Sequence, residues 1–372
     1  MAMHPVRADR SGRWARLLCW RHGKGIEMRR QLLKAGEKAL AGLFLLTVGI
    51  AAAWFLRVDR GAHEYRALVR SIIATDAEIW DNREQPYGGY VLYQRHFESD
   101  PDYACTLRQQ APNALFMTDQ EGGSVVRLHD PAEAVPVAPA DAVALGFDGY
   151  RAASIEVASQ LRQHCIDINL APVMEPATGD VMRSASTDMV TAAEYATVFA
   201  DAMRAGGVVP VFKHFPGSTG AARRLDTHPA LISGAEPIQY IETYDGQLRD
   251  IALHYGLLSA DDIVMISNNL YDGYGDGPAV FNTLFYDWLR QDIGFRGLII
   301  TDDLDEVQLR YDDVLVAARE ADMLMAVRTA QRDRLEAMLL KAIDIGDLDP
   351  EMLKRKAARW QALVKRRAAT AN

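Results

Sequence analysis

The sequence predicts an α/β protein whose parallel strands close into a (β/α)8 barrel of the TIM type. From Arg66 onward, short apolar runs alternate with amphipathic helical stretches, which is the pattern of successive βα units around a parallel sheet. Polar clusters follow the ends of several different apolar runs, as a barrel mouth requires. The chain has 372 residues, 49% of them hydrophobic, so it can bury a core of barrel size. A doubly wound open sheet is the alternative.

Seven apolar runs are predicted to be strands: Gly89–Tyr93, Ala114–Thr118, Asp167–Ala171, Val208–Lys213, Ile263–Ser267, Gly297–Thr301 and Asp322–Val327. The remaining strand of the barrel is expected to be short and to lie between Pro172 and Gly206. Amphipathic stretches predict helices at His63–Asn82, Tyr150–His164, Thr191–Ala205, Pro237–Tyr255, Thr283–Gln291, Val314–Glu320 and Gln331–Ile345.

The N-terminal part of the chain predicts a membrane anchor. Residues 1–38 form a basic tail with ten Lys and Arg against three Asp and Glu. Residues 39–56 are almost continuously apolar and, as a helix, would span ~27 Å, which is close to one hydrocarbon core. The preceding Lys and Arg residues predict that the tail stays in the cytoplasm. The segment is therefore expected to be a single-pass, uncleaved signal anchor in the inner membrane. A cleaved signal peptide and a buried helix are the alternatives.

The remaining boundaries follow from this anchor. Residues 57–64 are expected to be a linker, and residues 65–372 the barrel domain, placed in the periplasm or outside the cell. Met28 opens a stretch that would itself make a normal signal anchor, so residues 1–27 are either a start-site artefact or a disordered basic tail. From residue 57 onward, 31 basic residues face 47 acidic ones. This balance argues against nucleic-acid binding, which needs a basic face to neutralise phosphates.

The three cysteines, Cys19, Cys105 and Cys165, are too few and too scattered for a zinc site. In an exported domain Cys105 and Cys165 could form a disulfide bond. The sequence does not supply their separation in space, and two unpaired, buried thiols are the favoured expectation.

The most informative segment of the sequence is Lys213-His214-Phe215-Pro216-Gly217, followed by Asp226-Thr227-His228. It comes directly after an apolar run, so its polar groups are expected at the C-terminal end of a barrel strand, where catalytic residues gather. In the spacing Asp-x-His, the carboxylate can hold the imidazole in one tautomer and keep it basic enough to transfer a proton. The pattern alone leaves open that Lys213 and His214 form a structural pair in the barrel rim.

Four further clusters appear along the chain: Asp119-Gln120-Glu121-Gly122-Gly123, Arg183-Ser184, Ser267-Asn268-Asn269 and Thr301-Asp302-Asp303-Leu304. Together with the Lys213 segment, and in this order, they resemble glycoside hydrolase family 3, in its single-barrel β-N-acetylhexosaminidase branch. The resemblance extends from about Gly88 to Lys365. Five motifs in the family's order make it a specific signal, which no single motif would be.

The resemblance implies a role for each matching residue. Asp302 would be the nucleophile, and Asp226 and His228 the acid/base dyad. Substrate hydroxyls would be held by Asp119, Arg183, Lys213 and His214. No metal or organic cofactor is implied, and the partner is a carbohydrate. These residue types suit the chemistry, because retaining hydrolysis needs an anionic group below the anomeric carbon and a proton donor above the leaving oxygen.

Asp302 and Asp303 are adjacent, and successive residues of a strand face opposite sides of the sheet, so only one of them is expected to point into the mouth. The pattern alone does not choose between them, whereas the resemblance selects Asp302. The other reading for Asp303 is a carboxylate that bonds loop amides or caps the next helix.

The sequence also departs from the family pattern. Gly217 is followed by Ser218-Thr219-Gly220 where the family usually continues His-Gly, and Asn268 stands where a histidine is usual. The expected function is a retaining exo-β-N-acetylglucosaminidase acting on peptidoglycan-derived or other amino-sugar glycans. The alternatives are a family 3 exo-glycosidase of other specificity, such as a β-glucosidase, and a glycan-binding protein with weakened catalysis. The sequence leaves the oligomeric state open.

Overall fold

Eight parallel strands form the closed barrel that the sequence predicts. The computed structural model describes residues 34, 64–79, 86–128, 136–176, 183–217, 222–225, 238–241, 247–275 and 277–370. Its strands are β1 (Ile73–Asp76), β2 (Gly89–Leu92), β3 (Leu115–Thr118), β4 (Ile168–Asn169), β5 (Val209–Phe215), β6 (Ala222–Leu225), β7 (Ile238–Ile241), β8 (Ile263–Ile266), β9 (Leu270–Tyr271), β10 (Leu298–Asp303) and β11 (Met323–Met325). The barrel order is β1-β11-β10-β8-β5-β4-β3-β2. Because β1 pairs with both β11 and β2, the sheet closes, and the open-sheet alternative is wrong.

Helices pack on the outer face of the barrel, where their buried side chains form one apolar cluster with outward-facing strand residues. They are α1 (residues 64–70), α2 (Gln94–Ser99), α3 (Tyr103–Gln110), α4 (Ala142–Gln163), α5 (Met189–Ala205), α6 (Gln247–Leu253), α7 (Thr283–Asp287), α8 (Tyr311–Glu320), α9 (Thr329–Asp344) and α10 (Pro350–Thr370). α5 begins where the Asp188 carboxylate accepts the N–H of Thr191 at 2.9 Å. Such a cap satisfies one of the free N–H groups of a helix N-terminus.

Each of the seven predicted strands overlaps an observed strand, but the predicted position of the eighth is wrong. It is β1, which lies inside the predicted helix His63–Asn82 and not between Pro172 and Gly206. All four β1 residues are buried, so the run has no polar alternation to distinguish a strand from a buried helix. The predicted helix Pro237–Tyr255 is also wrong in part, because Ile238–Ile241 is strand β7. α2, α3 and α10 have no counterpart among the predicted helices.

The barrel interior is filled by apolar side chains and closed at its N-terminal end by α10. Trp360 and Leu363 of α10 belong to the same buried cluster as the inward-facing strand residues. The neighbouring Arg359 donates to the carboxylate of Asp322 at 2.6 Å, directly before β11. α10 therefore lies at the end of the barrel where the strands begin. The opposite end, where the strands finish, is left for the polar clusters.

Cys105 and Cys165 form a disulfide bond, so the expectation of two unpaired thiols is wrong. The bond joins α3 to the turn before β4, with a Cα–Cα distance of 5.1 Å. Arg108, one turn after Cys105, donates to the backbone carbonyl of Cys165 at 2.9 Å and holds the same two segments together. The sequence separation of 60 residues hid this proximity, because the contact depends on how α3 packs against the turn before β4.

A second, three-stranded sheet has the order β6-β7-β9. β6 is antiparallel to β7, and β7 is parallel to β9, which follows the barrel strand β8. The predicted dyad residues Asp226 and His228 come directly after β6 but lie outside the described residues. So do the predicted tail, the anchor at 39–56 and most of the linker. Within the described part of the chain, no helix is both long and apolar enough to cross a membrane.

Candidate active site

Polar side chains gather where the barrel strands end. Asp119 directly follows β3, Lys213 and His214 lie near the end of β5, and Asp302–Asp303 close β10. Asn268 comes two residues after β8. Because the carboxyl ends of parallel barrel strands meet at one face, the fold brings together residues that are far apart in the sequence.

A bulge in β5 sets the direction of Lys213 and His214. Phe212 pairs with Val264 and Phe215 with Ile266, so β5 has one residue more than β8 between these two pairs. A bulge breaks the strict alternation of side chains and re-aims them, which is why bulges are common beside active sites. On its other side, Lys213 stays paired with the segment after β4: its N–H donates to the carbonyl of Pro172 at 3.1 Å.

Lys213 is buried and paired with two carboxylates. Its Nζ lies 2.7 Å from Oδ1 of Asp119 and 2.6 Å from Oε1 of Glu121. Burial by itself would lower the pKa of Lys213, but the two carboxylates outweigh it and hold that pKa above the ordinary lysine value. The side chain is therefore a charged ammonium. An ammonium has three N–H donors, and the contacts with described residues use two, which leaves a third for a substrate hydroxyl within this part of the chain.

Arg183 and Glu121 form a two-pronged ion pair beside Lys213. Nε and Nη2 of Arg183 donate to the two carboxylate oxygens of Glu121 at 2.9 and 2.6 Å. Burial tends to raise the pKa of Glu121, but Lys213 and Arg183 lower it to about 2. The Arg183 side chain remains 39% exposed and that of Asp119 19%, whereas Glu121 and Lys213 are each 2% exposed. Glu121 thus lies beneath Arg183 and Asp119, the two side chains that are exposed enough to contact a ligand.

His214 is held by Glu175. The backbone N–H of His214 donates to Oε2 of Glu175 at 2.7 Å, and its ring Nδ1 lies 2.9 Å from Oε1 of the same carboxylate. Both side chains are largely buried. Since a carboxylate only accepts hydrogen bonds, the contact places a proton on Nδ1 and leaves Nε2 as the nitrogen available to a ligand.

Asp302 and Asp303 have different surroundings. Oδ1 of Asp303 accepts the N–H of Asp305 at 3.0 Å and caps a 3₁₀ turn at Leu304–Glu306. Burial, together with the nearby carboxylates of Asp305, Asp302 and Glu306, raises the pKa of Asp303 well above its ordinary value. Oδ1 of Asp302 accepts the N–H of Asp303 at 2.8 Å, and its second oxygen has no hydrogen bond to a described residue. The capping role considered for Asp303 is therefore confirmed, and one oxygen of Asp302 has no hydrogen-bond partner among the described residues.

Asn268, which stands where the family usually has a histidine, ties β8 to this aspartate pair. Its Nδ2 donates to the backbone carbonyl of Asp303 at 2.7 Å and to a carboxylate oxygen of Glu306 at 3.3 Å. Asn268 is buried, so these bonds hold the peptide that follows Asp303. The departure from the family pattern thus places a neutral amide where a titratable ring is usual.

Asp76, Glu78 and His96 also come close enough together to suggest a metal site. Arg95, however, forms ion pairs with both carboxylates. Burial tends to raise the pKa of Asp76, but His96, the N–H of Glu78 and Arg95 together lower it. The guanidinium already supplies positive charge to both carboxylates, so we interpret this cluster as an ion-pair network.

The structure brings together three predicted hydroxyl-binding residues: Lys213 and Arg183 both contact Glu121, and Asp119 contacts Lys213. Glu121 and Glu175 were not among the predicted site residues. Glu121 belongs to the motif Asp119-Gln120-Glu121-Gly122-Gly123 and could have been identified from it. Glu175 lies in no such motif, and only its contact with His214, 39 residues away, reveals it.

The chain is similar to known glycoside hydrolases in sequence and in fold. Residues 98–363 match the family model described as the N-terminal domain of glycosyl hydrolase family 3. A β-hexosaminidase from Methylococcus capsulatus is 31% identical over 293 residues, which are 73% of this chain and 84% of that protein.

Two solved structures share the fold. A family 3 β-N-acetylglucosaminidase from Paenibacillus superposes with a TM-score of 0.69 at 23% identity, covering 82% of this chain and 63% of that one. A family 3 glycosyl hydrolase from Mycobacterium smegmatis has a TM-score of 0.66 at 25% identity, covering 80% of this chain and 96% of that one. With the family model matched over most of the barrel, the chain belongs to glycosyl hydrolase family 3 and is a glycoside hydrolase similar to β-hexosaminidases.

Proposed function

We propose that the protein is a retaining exo-β-N-acetylglucosaminidase that acts on peptidoglycan-derived or other amino-sugar glycans. The observation that carries this proposal is the network of Asp119, Lys213, Glu121 and Arg183 at the barrel mouth, which offers charged donors and an acceptor to the hydroxyls of one terminal sugar. Relatives named β-hexosaminidase and β-N-acetylglucosaminidase support an amino sugar as that residue.

In the proposed first step, the free oxygen of Asp302 attacks the anomeric carbon. As that bond forms, the bond to the leaving oxygen breaks, and His228 gives its proton to the leaving group. In the second step, water attacks the same carbon and returns a proton to His228, and the bond to Asp302 breaks. Asp226 orients the imidazole and stabilises its charged form. One proton carrier then serves both steps, and the product keeps the configuration of the substrate.

The mouth network supports this scheme because its charges are already in place. The carboxylate of Glu121 fixes Arg183 by two hydrogen bonds and forms an ion pair with the Lys213 ammonium. Neither cation therefore has to reorient when a sugar binds. Asp119 is more exposed than Lys213 and can accept a sugar O–H. A bound sugar would thereby be held at one end, with its anomeric carbon directed toward β10.

A covalent trap tests the mechanism and the sugar together. The full chain would be incubated with 5-fluoro glycosyl donors of the N-acetylglucosamine and glucose types and then digested for mass spectrometry. A mass increase on the peptide containing Asp302, with the N-acetylglucosamine donor, is the expected result. Labelling by the glucose donor alone would indicate the glucosidase alternative. No labelling and no turnover, with measurable sugar binding, would indicate the glycan-binding alternative and overturn the proposal.

We further propose that residues 39–56 anchor the protein in the inner membrane, with the barrel exported. The basic residues that precede this apolar segment support this orientation. The disulfide bond between Cys105 and Cys165 also fits an oxidising compartment, since cytosolic thiols are kept reduced. Protease added to intact spheroplasts should then digest the barrel. Protection of the barrel until the cells are lysed would place it in the cytoplasm.

A further inference from the structure

Glu175 lies just beyond the segment that pairs with β5 after β4 ends. In this segment the N–H of Met174 donates to the carbonyl of Lys213 at 2.8 Å, and Val173 forms a bridge with Lys213. Pro176 follows Glu175 and has no N–H to continue the pairing. The backbone ladder therefore ends beside Lys213, and the side chain of Glu175 is the next group along the chain that can reach β5.

The bulge in β5 leaves His214 without its regular partner in β8. The extra residue of a bulge is unpaired, and a buried N–H without a partner is unfavourable. Glu175 accepts this N–H at 2.7 Å with one oxygen and meets ring Nδ1 at 2.9 Å with the other. One carboxylate therefore satisfies the backbone of the bulge and fixes the ring of the same residue.

Shelter from solvent strengthens this arrangement. The side chains of Glu175 and His214 are 13% and 15% exposed. Hydrogen bonds that are shielded from water hold their geometry better than exposed ion pairs do. With Nδ1 protonated toward Glu175, Nε2 is an acceptor for a sugar O–H when the ring is neutral and a donor when it is charged.

Glu175 also lies under the start of the segment that leads to Asp226 and His228. A β-carbon placed on Gly217 would be 3.7 Å from Cβ of Glu175. The carbonyl of Gly217 accepts the hydroxyl of Tyr271 at 2.9 Å, which holds this turn against β9. The residue that holds His214 is thus in contact range of the point where the chain leaves the barrel.

We propose that Glu175 is a positioning residue, which fixes the tautomer and orientation of His214 so that Nε2 faces a substrate hydroxyl. This inference rests on the proposed glycosidase function for its activity readout but not for its structural one. Glu175 acts through His214 and does not itself touch the reacting atoms. Positioning the His214 ring is a different role from accepting the backbone N–H of the bulge. The two roles can be separated, because they respond differently when the carboxylate is changed to an amide.

Glu175→Gln separates the two roles. The glutamine oxygen can still accept the backbone N–H of His214, so the bulge keeps its support. The glutamine NH₂ group would then face Nδ1 and favour the opposite tautomer, with the proton on Nε2. We expect kcat/KM for an aryl N-acetylglucosaminide to fall about 10- to 100-fold, mainly through KM, with little change in the melting temperature. Glu175→Asp, which keeps a carboxylate on a shorter stem, should recover part of the activity.

Two measurements make the test decisive. ¹⁵N-histidine NMR of the full chain in detergent, with the His214→Ala variant used to assign the signal, should show the Nδ1–H form in the wild type and Nε2–H in Glu175→Gln. In a His214→Ala background, Glu175→Gln should have no further effect on kcat/KM, because its action passes through His214. An unchanged tautomer, or an equal loss of activity in the two backgrounds, would overturn the proposal.

Failure of the proposed glycosidase function can be distinguished from failure of the proposed role of Glu175. If the wild type does not turn over N-acetylglucosaminides, the glycosidase proposal fails, while the NMR comparison still tests whether Glu175 sets the tautomer of His214. If Glu175→Gln does not fold, the NMR spectrum of the wild type decides the matter. A wild-type His214 with its proton on Nε2 would then contradict the positioning role, because the contact with the Glu175 carboxylate requires the proton on Nδ1.

Discussion

Nζ of Lys213 lies 2.6 Å from Oε1 of Glu121, and both side chains are almost completely buried at the barrel mouth. Glu121 also receives both hydrogen bonds from Arg183, so one buried carboxylate holds two of the predicted sugar-binding cations. A buried cation without a partner is strongly unfavourable, which makes the site depend on Glu121 although that residue is too deep to be the first to meet a ligand.

Glu121→Gln should therefore weaken both stability and activity. Removing one partner of a buried charge network costs about 3–5 kcal/mol, because the remaining charges stay uncompensated. We expect a lower free energy of unfolding in urea and a raised KM as Lys213 and Arg183 lose their positions. The exposed pair Lys354 and Glu351 supplies a matched control, since Glu351→Gln should change little. An unchanged free energy of unfolding in Glu121→Gln would show that the network does not hold the mouth.

The same carboxylate makes stability depend on pH. Its pKa is lowered in the folded protein from an ordinary 4.5 to about 2. A lowered pKa means that the stabilisation is present in full above pH 4.5 and is lost as the pH falls toward 2, by about 3 kcal/mol in all. Urea unfolding between pH 7 and pH 2 should show a shallower loss in Glu121→Gln than in the wild type. Parallel curves would assign the acid sensitivity to other groups.

Asp302→Asn and Asp303→Asn should have opposite outcomes. Oδ1 of Asp303 accepts the N–H of Asp305, and an asparagine oxygen can still accept that hydrogen bond. Asp303→Asn should stay folded and retain most of its turnover. Asp302→Asn should lose turnover by ~10³-fold or more, since the neutral amide cannot form the glycosyl-enzyme. Steady-state kinetics with an aryl glycoside checks both, and the reverse ranking would exclude Asp302 as the nucleophile.

The proposed proton carrier predicts a dependence on the leaving group. Activated aryl leaving groups depart without a proton, whereas sugar leaving groups need one. His228→Ala should therefore reduce turnover of a disaccharide far more than turnover of a dinitrophenyl glycoside. Comparing kcat/KM across aryl glycosides of graded leaving-group pKa gives the measurement. The same loss for every leaving group would contradict the acid/base role of His228.

Reduction of the disulfide bond should lower the thermal stability of the barrel. A cross-link that closes a loop of 60 residues stabilises the folded state by about 4 kcal/mol in the chain-entropy model. Calorimetry with and without reductant should show a lower melting temperature for the reduced wild type. In the variant with both Cys105 and Cys165 changed to Ser, reductant should have no effect. Equal melting temperatures for the oxidised and reduced wild type would show that the bond adds no stability.

The sequence alone determined the fold class, the family and the neighbourhood of the site. Apolar runs with polar ends are local patterns, and both the helix and the strand period can be read within about ten residues. The seven predicted strands and the motifs from Asp119 to Asp302 are signals of this kind.

The tertiary structure decided what local patterns do not contain. β1 has no polar alternation because it is buried on both faces, so only barrel closure shows that it is a strand. Bulges in β5 and β10 break the alternation from which side-chain directions are deduced, so the different surroundings of Asp302 and Asp303 had to be observed. The contacts of Glu121 with Lys213 and of Glu175 with His214 join residues on different strands or the segments that follow them. Such contacts exist only once the barrel closes, because closure brings the carboxyl ends of distant strands to one face.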